Sequence, residues 1–259
     1  MLKGKNAIVT GSTSGIGLAI AHSVAAEGCN VLLNGFADKA AITALVNELQ
    51  NTYKVKVDYS PADMSKPKDI ADMVGMCERV FGSCDILVNN AGIQFTAPVQ
   101  DFPDDKWDSI IAINLSAAFH ATKAALPGMQ KRQYGRIVNI ASVHGLVASV
   151  NKAAYVAAKH GIVGLTKVVA IENGENNITC NAICPGWVHT PLVQKQIEDN
   201  AKKANISEDE ATKQMLDKQA MKKFNKPEQI GGLVVFLCSD TAATMTGTPV
   251  IIDGGWTAE

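Results

Sequence analysis

The amino-acid sequence predicts an α/β protein with one doubly wound, parallel β-sheet of about seven strands and helices on both faces. Apolar stretches of strand length alternate with longer helix-like stretches along the whole chain, which is typical of parallel sheets. A glycine-rich turn joins the first strand to the first helix. No linker, repeat or low-complexity segment interrupts this pattern, so we expect residues 1–259 to form a single domain.

Composition narrows the class of protein. The chain is 47% hydrophobic and 19% charged, enough for a sizeable core, and its formal net charge is −1. This balance predicts no binding to nucleic acid or to an anionic membrane surface. Residues 1–5 do not resemble a signal peptide, and no uninterrupted apolar run reaches about 18 residues. We therefore expect a cytoplasmic protein without a membrane span.

The cysteines do not indicate a metal site. Six cysteines lie mostly inside apolar runs, and none forms a CxxC pair. This distribution predicts buried thiols in a reducing compartment. Cys180, Cys184 and His189 are the nearest approach to a ligand set, but their spacing matches no usual zinc site, so we expect no metal.

The first strand, residues 6–10, runs into a glycine-rich turn and then a helix that ends near Gly28. Glycine lets the backbone approach a pyrophosphate closely, and the helix N-terminus offers free N–H groups to the anion. The spacing GxxxGxG differs from the longer GxGxxG fingerprint, and an ordinary strand–helix turn is the alternative. We expect a Rossmann-type dinucleotide site here, formed by Gly11, Thr13, Ser14, Gly15, Ile16 and Gly17.

The second strand, residues 30–34, bears on the choice of cofactor. NAD-binding sheets often place an acidic residue at the end of this strand, and NADP-binding sheets an arginine. Here Asn34 is followed by Gly35 and Phe36, with neither an acid nor a base at the strand end. A 2′-phosphate would find no cationic partner, so the sequence predicts NAD, with Phe36 among its contacts.

The next segments bring further polar residues to strand ends. A helix is predicted over 39–50, a strand over 55–60, a helix over 69–81 and a strand over 85–89. Asp63 either caps the following helix or meets the adenine amine, and Met64 and Asn90 are predicted cofactor contacts. The crevice at the carboxyl ends of the strands is where open α/β sheets bind ligands.

The middle of the chain carries two isolated polar residues. A long helical region is predicted over 102–129, where Asn114 interrupts an apolar stretch and must find hydrogen-bond partners. A fifth strand over 135–142 ends at Ser142.

Tyr155 and Lys159 lie four residues apart in an alanine-rich helix that begins near Ala153. This spacing places both side chains on one helix face. Tyrosine titrates near pH 10, and a fixed cation favours the phenolate. The pair is therefore interpreted as a general acid/base and its activator, although unrelated Tyr/Lys pairs share helix faces in many proteins.

The last third completes the sheet. Strands are predicted over 178–183 and 247–253, and Pro185, Gly186 and Val188 follow the sixth strand as cofactor contacts. Residues 190–226, polar from 194 onward, predict a helical insertion over the crevice that acts as a substrate lid. A solvated helical hairpin without a catalytic part is the alternative.

In combination, these motifs resemble the short-chain dehydrogenase/reductase family across essentially the whole chain. The resemblance implies that Tyr155 is the acid/base, that Ser142 holds the reacting oxygen, and that Lys159 binds the nicotinamide ribose. It also implies that Asn114 anchors a relay water and that the protein is a homotetramer. The matching motifs are Thr10-Gly11-x3-Gly15-x-Gly17, Asn89-Asn90-Ala91-Gly92, Asn114, Ser142, Tyr155-x3-Lys159 and Pro185-Gly186.

Longer stretches, residues 89–94, 141–149, 151–161, 183–188 and 253–257, resemble a bacterial branch of that family. The resemblance implies reversible, NAD-dependent oxidation of (R)-3-hydroxybutyrate to acetoacetate. It places the substrate carboxylate on Gln94, His144, Lys152 and Gln196. Trp187 belongs to the same strand-end motif and is also expected to contact the substrate.

The residues themselves support an anion pocket. Lys152, Tyr155 and Lys159 fall on one helix face, and Lys152 lies on the side away from the cofactor. A cation in the first turn of a helix is disfavoured by the helix dipole, a small cost that a bound anion would offset. A solvated Lys152 and a His144 that only caps a loop are the alternatives.

Two other functions remain open from the sequence. An NADPH-dependent 3-oxoacyl-thioester reductase would need a basic residue at the 2′-phosphate, which the second strand lacks. A non-catalytic nucleotide-binding protein would have no need of Ser142, Tyr155 or Lys159, and all three are present.

Overall fold

The computed structural model describes residues 1–258 and contains one parallel sheet of seven strands. The strand order is β3-β2-β1-β4-β5-β6-β7, which confirms the predicted doubly wound α/β fold. The strands are β1 (Asn6–Val9), β2 (Asn30–Asn34), β3 (Val57–Ser60), β4 (Ile86–Asn89), β5 (Gly135–Ile140), β6 (Ile178–Pro185) and β7 (Pro249–Ile252).

Helices connect the strands and cover both faces of the sheet. They are α1 (Gly15–Ala26), α2 (Lys39–Tyr53), α3 (Pro67–Phe81), α4 (Asp104–Ile111), α5 (Ala117–Arg132), α6 (Ala153–Asn173), α7 (Pro191–Ala204), α8 (Glu208–Leu216) and α9 (Pro227–Cys238). The long helical region predicted over 102–129 is divided, because a π-helical turn over Ala112–Ser116 separates α4 from α5.

Alternating residues of each strand enter two different cores. Ala7 and Val9 of β1 pack with α1 and α9 on one face, whereas Ile8 between them packs with α3 and α5 on the other. Successive strand residues point to opposite faces, so a strand covered on both sides is apolar throughout. The six cysteines are buried and unpaired, as the sequence predicted.

Two helical stretches, Asp104–Arg132 and Ala153–Asn176, are long and apolar enough to cross a membrane by length and composition alone. Neither stretch contains an uninterrupted apolar run of about 18 residues, which is why the sequence predicted no span. In the fold, 39% and 44% of the most apolar 18-residue window of each stretch are buried. Residues of both stretches enter the apolar clusters beside the sheet.

The order in which the chain adds strands to the parallel sheet reverses between β1 and β4, and polar residues tie these two strand ends together. The hydroxyl of Thr10 accepts hydrogen bonds from the backbone N–H groups of Asn90 and Ala91 at 2.9 and 3.0 Å. The Asn90 amide donates to the carbonyls of Thr10 and Gly11 at 2.8 and 3.2 Å. This switch point opens the crevice in which such sheets bind ligands.

Gly17 is required by close packing at this reversal. A Cβ at Gly17 would lie 2.2 Å from the Gly11 carbonyl oxygen and 2.5 Å from the Asn90 amide nitrogen. We expect Gly17→Ala to lower the free energy of unfolding by about 2–3 kcal/mol, because neither the Gly11 backbone nor the hydrogen-bonded Asn90 amide can move away. Urea denaturation measures the change.

Gly232→Ala is the matched control, since nothing lies within 4 Å of its added Cβ and the residue is inside α9. This variant should be more stable by about 0.5–1 kcal/mol, as expected for alanine in a helix interior. An unchanged midpoint in Gly17→Ala would show that the turn relaxes freely.

Candidate active site

A crevice of about 520 Å³ runs along the carboxyl ends of the strands. It brings together nearly all the residues that the sequence singled out. Asn114 is the exception and lies behind the wall. The predicted residues that line the crevice are Gly11, Thr13, Ser14, Gly15, Ile16, Gly17, Phe36, Asp63, Met64, Asn90, Gln94, Ser142, His144, Lys152, Tyr155, Lys159, Pro185, Gly186, Trp187, Val188 and Gln196.

The glycine-rich turn forms one wall and fits an anionic cofactor. Gly11 and Gly15 adopt left-handed backbone conformations, with φ of +64° and +55°, that other residues rarely tolerate. Ser14 precedes α1, and its side chain makes no capping hydrogen bond. The first N–H groups of α1 therefore remain available to a phosphate at the mouth of the crevice.

The end of β2 forms the far part of the crevice. The Asn34 side chain is buried and fully engaged, accepting from the Gly11 N–H and donating to the carbonyls of Ser60 and Ala62. Phe36 is 79% exposed at the rim. Within residues 1–258, no cationic side chain lines this end, and Asp63 is its charged residue.

Asp63 does not cap α3, whose N-cap residue is Lys66 without a side-chain capping bond, so the first of its two predicted roles is wrong. Its carboxylate accepts from the N–H and hydroxyl of Ser65 at 2.9 and 2.7 Å, and Lys66 lies 3.4 Å away. These hydrogen bonds, with the Ser65 N–H foremost, lower the pKa of the carboxyl. Asp63 thus stabilises the turn before α3 while also lining the crevice.

Asn114 is buried in the π-helical turn and makes the hydrogen bonds that the sequence predicted for a polar residue in an apolar stretch. Its amide oxygen accepts from the Ile93 N–H at 2.8 Å, and its amide nitrogen donates to the Ile93 carbonyl at 2.9 Å. A cavity of about 10 Å³ separates Asn114 from Lys159. That volume is near the lower limit for one water molecule.

Tyr155, Ser142 and Lys159 meet at the centre of the crevice. Ser142 follows β5, and Tyr155 and Lys159 stand on the first turns of α6. The Lys159 ammonium is buried, donates to the Ile140 carbonyl at 2.7 Å and lies 5.5 Å from the Tyr155 ring. The serine, tyrosine and lysine that the sequence grouped by motif therefore share one site.

The pKa of Tyr155 is not lowered, as would be expected of a tyrosine activated by a neighbouring lysine. Burial raises the pKa of Tyr155, and a hydrogen bond with Ser142 opposes the rise. Burial also lowers the pKa of Lys159 to about 8. Desolvation disfavours both charged forms and is the largest influence on each pKa in the protein alone.

His144 is buried beside Tyr155, and both of its ring nitrogens have partners. Nδ1 lies 3.3 Å from the Ser142 hydroxyl, and Nε2 lies 2.9 Å from the Ser149 hydroxyl. Burial, reinforced by Lys152 and Lys218, lowers the pKa of His144 to about 4. The imidazole is therefore neutral at physiological pH and acts as a hydrogen-bonding group.

Lys152 occupies the N-cap position of α6, one residue before the predicted first turn. Its ammonium lies 5.2 Å from the Trp187 ring and pairs with no carboxylate in residues 1–258. Burial, followed by repulsion from Lys218, lowers its pKa. The indole N–H of Trp187 is buried and also lacks a partner among the described residues. This end of the crevice thus offers unpaired donors to an acceptor.

Sequence reasoning missed several residues of the site. Trp256 lines the crevice, with its ring 5.5 Å from His144 and 6.3 Å from Trp187. An exposed indole in the Gly-Gly-Trp ending would be unfavourable, so the sequence could have indicated that Trp256 is covered by a pocket. Thr190 and Leu192 also line the crevice, because α7 begins directly at its rim.

The family model described as Enoyl-(Acyl carrier protein) reductase matches residues 11–257. The D-beta-hydroxybutyrate dehydrogenase of Cupriavidus necator is 54% identical, with 100% of both chains covered. The enzyme of the same name from Rhizobium meliloti is 53% identical, with 98% of this chain and 99% of the relative covered.

A solved structure with the same architecture is L-sorbose reductase from Gluconobacter frateurii, determined with NADPH and L-sorbose. It superposes with a TM-score of 0.94 at 30% identity and covers 100% of this chain and 98% of its own. The chain belongs to the short-chain dehydrogenase/reductase family.

Proposed function

We propose that this protein is an NAD-dependent dehydrogenase that reversibly oxidises (R)-3-hydroxybutyrate to acetoacetate. The observation that carries the proposal is the unpaired Lys152 ammonium at the end of the crevice beyond Tyr155. A small hydroxy acid can place its hydroxyl at Tyr155 and its carboxylate at Lys152. Full-length identity of 54% and 53% to two D-beta-hydroxybutyrate dehydrogenases supports this choice of acid.

Tyr155 acts as the general base in the proposed reaction. It takes the hydroxyl proton of the substrate, while Ser142 donates a hydrogen bond that holds the same oxygen. A bound nicotinamide ring supplies the hydride acceptor and a positive charge that favours the phenolate. Lys159 adds a second positive charge near the tyrosine and holds the nicotinamide ribose.

We propose that the proton leaves Tyr155 by way of Lys159 and a water molecule. The small cavity between Lys159 and Asn114 has room for that water. The Asn114 side chain is committed to Ile93, so its contribution is to fix the widened turn that shapes the cavity. Asn114 is therefore a positioning residue in this scheme.

NAD is the proposed cofactor. The glycine-rich turn and the N-terminus of α1 would hold its pyrophosphate, and the end of β2 would hold its adenosine ribose. No cation lines that end within residues 1–258, while Asp63 would repel a 2′-phosphate. Titration with NADH and NADPH, followed by fluorescence, should give tighter binding of NADH; equal affinities would contradict this assignment.

The substrate carboxylate is proposed to bind Lys152, with His144, Gln94 and Gln196 as hydrogen-bonding partners. Lys152→Ala should raise KM for (R)-3-hydroxybutyrate by about 10- to 100-fold, the usual cost of removing one partner of a buried charge pair. kcat should change less, since the reacting oxygen remains at Tyr155. Steady-state kinetics measure the split, and an unchanged KM would refute the anion pocket.

The segment 190–226 is proposed to be a substrate lid on the single domain formed by residues 1–259. Its helices α7 and α8 share a small apolar cluster of their own, formed by Val193, Ile197, Ala201 and Ala211. Thr190, Leu192 and Gln196 face the crevice from this segment. The helical pair α7 and α8, which has its own apolar cluster, can move as a body and close over a bound acid.

A cytoplasmic homotetramer is the proposed state of the protein. Phe119 of α5 and Val168 and Ile171 of α6 are 46%, 51% and 84% exposed, and Ile251 of β7 is 49% exposed. Such apolar faces are typical of subunit interfaces. The free cysteines fit a reducing compartment. Light scattering coupled to size exclusion measures the assembly.

Two reduction assays, each with one candidate substrate and its cofactor, distinguish this function from that of a 3-oxoacyl-thioester reductase. We expect acetoacetate with NADH to be turned over much faster than an acetoacetyl thioester with NADPH, because the pocket ends in Lys152 and two indole rings. The opposite preference would replace the proposed function with the reductase. Cofactor binding without turnover of either substrate would indicate a non-catalytic protein.

A further inference from the structure

A second lysine, Lys218, lies beside Trp256, one of the residues that line the crevice. Its ammonium lies 5.6 Å from the ring of Trp256, on the indole that also contacts His144. Lys218 is exposed and pairs with no carboxylate in residues 1–258, and the neighbouring Asp217 is engaged by Lys222. Lys218 is therefore an uncompensated cation at the rim of the substrate pocket.

The position of Lys218 is fixed by its neighbour. The Gln219 side chain is 1% exposed, accepts from the backbone N–H of Trp187 at 3.1 Å, and donates to the carbonyls of Met221 and Lys223. The Met221 N–H in turn donates to the Gly254 carbonyl at 2.8 Å. These bonds fasten the segment after α8 to the two strand ends that carry Trp187 and Trp256.

Lys218 acts electrostatically on the same pocket as Lys152. Repulsion from Lys218 contributes to the lowered pKa of both Lys152 and His144. No acidic side chain among the described residues pairs with Lys152, His144 or Lys218. This local excess of basic groups contrasts with the formal net charge of −1 on the whole chain. Mutual repulsion of this kind is relieved when an anion binds between the cations.

We propose that Lys218 is the second cation of the anion subsite and a determinant of specificity for substrates with a carboxylate. The proposal rests on the function proposed above. Lys152 would contact the carboxylate, and Lys218 would act on it across the Trp256 ring from the solvent side. Because Lys218 is exposed, its effect is modest and depends on salt.

The test compares Lys218→Gln with Lys218→Arg, which keeps the charge, and with Lys213→Gln, which removes an equal charge from the exposed side of α8. The probe is butyrate, a carboxylate without the reacting hydroxyl, titrated into the NADH-loaded protein. Trp187 and Trp256 report binding by fluorescence. In parallel, kcat/KM is measured for (R)-3-hydroxybutyrate and for its neutral methyl ester.

We expect Lys218→Gln to weaken butyrate binding and lower kcat/KM for the acid by about two- to fivefold at low salt, as suits one partly screened charge. Turnover of the ester should be unaffected, and the two other variants should resemble the wild type. The difference should fade toward 1 M salt, where the Debye length is about 3 Å.

Two results would overturn the proposal. Equal losses for acid and ester would mean that Lys218 only supports the Trp256 ring, and unchanged binding of butyrate would mean that its charge does not reach the pocket. Failure of the proposed function looks different. The wild-type protein would then fail to oxidise the acid, while Lys218→Gln would still weaken binding of butyrate.

Discussion

Tyr155→Phe should reduce kcat for (R)-3-hydroxybutyrate by about 10³- to 10⁴-fold, the upper range for loss of a general acid/base. The substitution removes one hydroxyl and leaves the ring, whose edge-to-face contact with His144 has a centroid separation of 5.9 Å. The shape of the crevice and the neutral state of His144 should therefore persist. Affinity for NADH, measured by fluorescence, should remain within about twofold of wild type, since the ring still packs in place.

Tyr53→Phe is the matched control for this change. The Tyr53 hydroxyl hydrogen-bonds to His22 at 3.1 Å and lies outside the crevice lining, so its loss should leave kcat unchanged. Comparable turnover by Tyr155→Phe and wild type would remove tyrosine from the proposed chemistry and leave Ser142 or Lys159 as the proton acceptor.

Lys159→Met should lower kcat by about 10²- to 10³-fold, because the variant loses both the charge that favours the phenolate and the first step of the proton path. Methionine is close to lysine in length and fills the buried site. Its thioether cannot donate to the Ile140 carbonyl, so a moderate loss of stability is also expected.

The pH dependence of kcat tests whether the reaction needs the positive charge of Lys159. The pKa of Lys159 is lowered to about 8, so the fraction of protonated lysine falls as the pH rises through that value. A wild-type protein that needs the ammonium should show a rate that declines above about pH 8. The declining limb should be absent in Lys159→Met, and its persistence there would assign it to another group.

The sequence predicts the sheet well because its central strands are buried on both faces. Ala7, Ile8 and Val9 are apolar in succession, a pattern that an amphipathic surface strand does not show. The glycines of the first turn and the Tyr155/Lys159 spacing depend on local geometry, and local geometry is what a sequence pattern encodes most directly.

Features that depend on contacts between distant segments could not be predicted in the same way. The π-helical turn at Asn114 forms because Ile93, on a separate loop, offers both a donor and an acceptor to that side chain. The position of Lys218 depends on the bond between its neighbour Gln219 and the backbone of Trp187, 32 residues away along the chain. None of these partners is indicated by spacing along the chain.

The electrostatic state of the site also depends on burial. A lysine four residues from a tyrosine suggests a lowered tyrosine pKa, yet desolvation raises the pKa of Tyr155 and lowers that of Lys159. Burial of this kind arises when β5, β6 and α6 close around the pair. It is a property of the folded molecule rather than of the motif.

The most direct test of the proposed reaction is the formation of NADH, followed by absorbance, with NAD and each enantiomer of 3-hydroxybutyrate. Rapid formation with the (R) acid, and little with the (S) acid or with NADP in place of NAD, is the predicted result. It would establish reaction, handedness and cofactor together. No NADH from either enantiomer by a protein that still binds NAD would contradict the account and redirect the search to another small hydroxy acid.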